Sequence, residues 1–66
     1  MSPGDLLKPK ESTNVWNSPM DDRVIRLGQV KSDNIVMFLG DEKIGFLKVY
    51  TPVGVGWIHK TILQQI

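Results

Sequence analysis

Apolar and β-branched residues recur along the 66-residue chain in short runs, bounded by clusters of Gly, Pro, Asn and Asp. No window sustains the 3.6-residue period of a helix, so the pattern predicts an all-β protein. Residues 5–8 (DLLK) read as a first short strand and residues 9–23 as a long loop with an extended piece at 14–16 (NVW). A strand at 24–30 (VIRLGQV) and a polar turn at 31–33 lead into 34–39 (NIVMFL), the most apolar strand in the chain. GDEK (40–43) reads as a hairpin turn, followed by a strand at 44–51, a tight turn at 52–54, a last strand at 55–59 and one short helical turn at 60–63. About five antiparallel strands at this spacing are too few for a sandwich and fit a small, strongly bent barrel. Its closure would also protect NIVMFL from acting as a sticky edge.

Strand alternation sorts the side chains by face. One consistent register sends Leu7, Val24, Val36, Phe38, Leu47, Val49 and Ile58 inward. Phe46, Lys48, Tyr50, Trp57 and His59 then point outward. Trp57 is expected to be partly exposed and structural, covering the outer sheet with its indole. His59 is expected on a ligand face with Trp16 and Phe46, where its replacement by alanine would leave stability nearly unchanged. NIVMFL is apolar on both faces: with Val36 and Phe38 inside, Ile35, Met37 and Leu39 need cover from a neighbouring strand, the N-terminal arm or a second copy of the chain.

Length and charge narrow the picture. Sixty-six residues make one domain, with its core region at about 4–64. The net charge is +1, but residues 1–42 hold all seven acids, and residues 43–66 hold Lys43, Lys48 and Lys60 with no acid. That segregation allows a basic part of the surface, but three scattered lysines that keep a small domain soluble are the favoured reading, and a net charge this small disfavours nucleic acid as a partner. The chain has no cysteine and a single histidine, so neither a metal site nor a cofactor is expected. No apolar stretch approaches the ~20 residues that span a bilayer, and MSPGDLLKPKES lacks the pattern of a secretory leader. The expectation is therefore a protein of a cytoplasm, or of a virion assembled in one, without membrane contact.

Candidate catalytic chemistry is thin. A nucleophile–base–acid set needs more than His59 and four loop serines, and the carboxylate pairs Asp21–Asp22 and Asp41–Glu42 both fall in turns, the usual place for solvated acids. The expectation is that the protein is not an enzyme.

Taken in order, NVWNSP (14–19), VI (24–25), DNIVMFLG (33–40), GFLKVYTPVGVGWIH (45–59) and TIL (61–63) resemble the bacterial SH3 (SH3b) pattern over nearly the whole chain. The resemblance implies an SH3-like small barrel. Trp16 stands where the family usually has arginine, Ser18 and Asp33 where it has glycine, and Phe46 where it has tryptophan. Against eukaryotic SH3 domains, His59 replaces the groove proline and Ile62 the groove tyrosine, so recognition of proline-rich helices is not expected. The opening MSPGDLLKPK also looks like the start of short phage-encoded barrel proteins.

The leading expectation is a non-catalytic binding module that recognises a peptide or protein partner through Trp16, Phe46, Tyr50, Trp57, His59 and Lys60. Three alternatives stay open: the cell-wall binding that the family resemblance implies, a nucleic-acid-binding barrel that stacks bases on Phe46, Tyr50 and Trp57, and a structural subunit of a larger assembly such as a virion. The chain itself is expected to be a monomer or a weak homodimer.

Overall fold

The computed structural model describes residues 2–19 and 24–66. The Asp21–Asp22 pair and the end of the long loop at residue 23 lie outside the described residues. Seven strands form one antiparallel sheet: β1 (Leu6–Pro9), β2 (Thr13–Trp16), β3 (Arg26–Val30), β4 (Val36–Lys43), β5 (Phe46–Thr51), β6 (Gly54–His59) and β7 (Leu63–Gln65). Their spatial order is β3-β2-β6-β5-β4-β1-β7, strongly curled into a half-barrel, with a 3-10 turn at Lys60–Ile62 between β6 and β7.

The all-β architecture and the C-terminal helical turn are as the sequence predicts, and two further strands are present. The extended piece in the long loop becomes β2 because it has partners on both sides: β3 along its whole length, and β6 through Trp16 opposite Trp57. The residues after the 3-10 turn return to β1 and pair as Leu7↔Gln65, Lys8↔Gln64 and Pro9↔Leu63. NIVMFL is shielded by neighbours rather than by closure, since β4 lies between β5 and β1 and the free edges are β3 and β7.

The expected GDEK turn is displaced. β4 runs on through Lys43, and Leu39, Gly40 and Asp41 are taken up as an irregularity between the Phe38↔Val49 and Glu42↔Leu47 pairs. The reversal falls instead at Ile44–Gly45, closed by the Lys43↔Phe46 pair. Both central residues have positive φ, 53° for Ile44 and 81° for Gly45, the pattern of a type I′ hairpin turn.

The core lies on one face of the curl. Leu7, Val36, Phe38, Leu47, Val49 and Ile58 are buried there as alternation predicts, joined by Val15, Val30 and Leu63. Val24 is a correction: it remains 38% exposed. It shares parity with Val30, but the β2–β3 register skips Leu27 and sets exposed Arg26 opposite Trp16, so that parity does not carry Val24 onto the core. The one buried polar side chain among the described residues, Thr51, is satisfied within its own turn. Its hydroxyl donates to the Gly54 carbonyl (2.7 Å) and accepts from the Val53 N–H (3.2 Å).

Candidate functional site

The outer face of β5 and β6 carries the predicted aromatic residues, and the register fixes which of them meet. Phe46 pairs with His59, Lys48 with Trp57 and Tyr50 with Val55. Phe46 and His59 touch edge to face, ring centroids 5.0 Å apart and planes at 80°. Both rings are half-buried, so each still offers surface to solvent.

His59 is held from two directions. Its Nδ1 lies 2.8 Å from the Thr61 hydroxyl and accepts from the Thr61 N–H at 3.3 Å, which caps the 3-10 turn. The expectation that His59→Ala is nearly neutral is therefore corrected, because losing a cap acceptor costs about 0.5–2 kcal/mol. On the other side the imidazole leans on Gly45, where an added Cβ would stand 3.2 Å from Nε2. The φ of 81° is what favours glycine at position 45, and an added Cβ would in addition press on the imidazole. The Lys60 N–H donates to the Gly45 carbonyl (2.8 Å), tying the hairpin tip to the 3-10 turn.

Trp57 differs from expectation. Alternation puts it on the outer face, and it is absent from the main core cluster, yet it is only 8% exposed. β2 crosses beside it with Trp16 directly opposite, and Lys48 flanks it on β5. Its indole is thus a second, small core, and Trp16, half-buried, is the ring left at that surface. Trp16 is tied to the Phe46–His59 pair by register alone: it stands opposite Trp57, which precedes His59 by two residues on β6. Tyr50, 57% exposed, sits two pairs along β5 from Phe46 beside Val55, outside this group.

The charge segregation of the sequence does not become a basic patch. Lys60 pairs with Glu42 (3.2 Å) and Lys48 stands 4.0 Å from Asp41, so the acids of the displaced turn neutralise two of the three C-terminal lysines. Such exposed pairs contribute little stability but remove local charge. Lys43, opposite Phe46, has no ion-pair partner among the described residues.

Sequence reasoning missed Ile44. It is 67% exposed at the hairpin tip, next to Gly45 and two residues from Phe46. Its φ of 53° is one that a β-branched residue rarely adopts. The signal, an apolar residue just before a glycine, was hidden by placing the turn at GDEK.

Among the described residues there is no enclosed cavity and no cluster of three or more metal-ligating side chains. No helix is long and apolar enough to cross a membrane. Compared with known proteins, the chain matches no family model, no curated protein and no solved structure.

Proposed function

We propose that the chain is an SH3-like, non-catalytic binding module that takes an extended peptide segment of a protein partner across Trp16, Phe46 and His59. The observation that carries this reading is the Phe46–His59 edge-to-face pair, half-exposed and braced by the 3-10 turn, with the exposed Ile44 beside it. A shallow aromatic surface without an enclosing cavity suits a chain laid over it better than a small molecule. The SH3-like reading is supported by the order of elements. A first strand, a long arm containing a hairpin, three strands joined by tight turns, a 3-10 turn and a strand returning to the first follow one another as the SH3b-like motifs do along the sequence. The paired lysines favour a peptide over a polyphosphate backbone, which would require several free cations.

The test is selection from a random peptide library displayed on phage, followed by calorimetric titration of the selected peptides. Phe46→Ala and His59→Asn should each weaken binding about tenfold or more, as loss of an interface anchor does. His59→Asn keeps an acceptor for the 3-10 turn and loses only the ring contacts, so it should stay folded and melt slightly below the parent. Peptides that bind both variants as tightly as the parent would sink the proposed face, and so would a library that yields no binder.

A further inference from the structure

The end of the β4–β5 hairpin sets three outward side chains in one row. Lys43 pairs with Phe46 and Phe46 with His59, so a cation, a phenyl ring and an imidazole stand side by side on β4, β5 and β6, on the face away from Leu47 and Ile58 of the core. Neighbouring strands lie ~4.8 Å apart, which puts Lys43 and His59 about 10 Å from each other with Phe46 between them. The charges around this row do not cancel. Glu42 pairs across the hairpin with Leu47 rather than Phe46 and is engaged by Lys60 at 3.2 Å, while Asp41 lies 4.0 Å from Lys48. These two acids answer two of the three C-terminal lysines, and Lys43 keeps its charge unpaired among the described residues. His59 adds a directed donor. Its Nδ1 accepts the Thr61 N–H, so the neutral ring carries its proton on Nε2, and that N–H has no hydrogen-bond partner among the described residues. The row therefore offers a full positive charge, a second donor and an aromatic ring, and no free acceptor.

We propose that the peptide taken by this face carries an aspartate or glutamate two residues from an apolar side chain, the apolar group covering Phe46 and the carboxylate meeting Lys43. The inference rests on the peptide-binding reading above and names its ligand chemistry. A surface that holds donors and no free acceptor attracts a carboxylate and repels a basic segment, so charge acts here both for the right ligand and against the wrong one. One unpaired lysine matches one carboxylate, whereas a polyanion needs several free cations. The spacing follows from strand geometry. Side chains on one side of an extended peptide recur every ~6.6–7 Å, while Phe46 and Lys43 are one strand apart at ~4.8 Å, and the flexible four-carbon stem of lysine spans the difference.

The experiment uses the peptides selected from a displayed random library fused through its peptide C-termini, so that only side-chain carboxylates are offered. Selected sequences should carry Asp or Glu two residues from an apolar residue more often than the unselected library does. In calorimetric titrations, replacing that acid by its amide should weaken binding to the parent about fivefold, the upper range for an exposed ion pair. The same replacement should leave binding to Lys43→Met unchanged, the two substitutions and their combination forming a closed cycle. Lys43 is exposed, so Lys43→Met should fold like the parent, which a thermal melt verifies, and Lys43→Arg should restore the preference for acid over amide. Peptides that need Phe46 and His59 yet show the same preference on Lys43→Met overturn the carboxylate inference and leave the peptide-binding face standing. Selected peptides without enrichment in acids do the same. A library without any binder, or binders indifferent to Phe46→Ala and His59→Asn, removes the face and the inference with it.

Discussion

Ile44 occupies a place that local chemistry disfavours. Type I′ turns take Asn, Asp or Gly at their first central position, because a Cβ in the left-handed region crowds the following carbonyl. A β-branched side chain is the poorest choice, and at 67% exposure Ile44 recovers little by burial. Ile44→Asn should therefore stabilise the protein by about 1 kcal/mol, which in a domain of this size raises the melting temperature by roughly 4–8 °C. An unchanged or lower melting temperature would show that the isoleucine is held by contacts rather than tolerated by them. If Ile44 belongs to the ligand face, the same variant that melts higher should bind the selected peptides less tightly. The residue scale is also where the sequence was hardest to read. Alternation placed Trp57 and His59 on the correct face, since parity needs only the strand. Exposure depends on a neighbour distant in sequence, β2 beside Trp57, and capping on the 3-10 turn that begins at Lys60, directly after His59.

Among the elements, the β2–β3 hairpin depends most on a single backbone approach. A Cβ at Gly56 would collide with a methyl of Val15 and stand 2.9 Å from the Trp16 carbonyl, so β2 can lie against β6 only because residue 56 has no side chain. The carbonyl cannot rotate away as a side chain could. Gly56→Ala is thus expected to cost about 1–3 kcal/mol, the range of overpacked cores, and to loosen the hairpin selectively. Trp16 and Trp57 fluorescence should shift to the red in a variant that stays folded. A parent-like spectrum and melt would mean that the strands part without penalty. A glycine within a strand run marks a close backbone approach, but nothing in Val-Gly-Trp names β2 as the strand approaching. That piece read as a short extended stretch within a loop because prolines and polar residues flank it; Thr13, Val15 and Trp16 suit a strand, and pairing on both sides completes it.

For the molecule as a whole, the three strands β4, β5 and β6 were legible because each is a run of apolar residues bounded by turn residues, and they form the centre of the sheet. The edges were not. β3 is shorter than its run of apolar letters, and β7 carries only Leu63 as a buried residue, too faint a pattern to read as a strand. The pairing of β1 with β7 has a kinetic consequence. β5 and β6 meet across a tight turn, whereas β1 and β7 must close a loop nearly as long as the chain, at an entropic cost higher by roughly 3 kcal/mol. Folding should therefore start in the β4–β5–β6 meander and finish where the two ends of the sequence zip together. Native-state hydrogen exchange should find the slowest amides in β5 and β6 and the fastest strand amides in β7; uniform protection across the sheet would contradict this order. In that sequence of events β7 is the last strand laid down and the first to lift. Each time it lifts, it bares the flank of β1, so beside the standing edges of β3 and β7 the sheet has a third, intermittent edge whose exposure to other chains is timed by the three residues of β7.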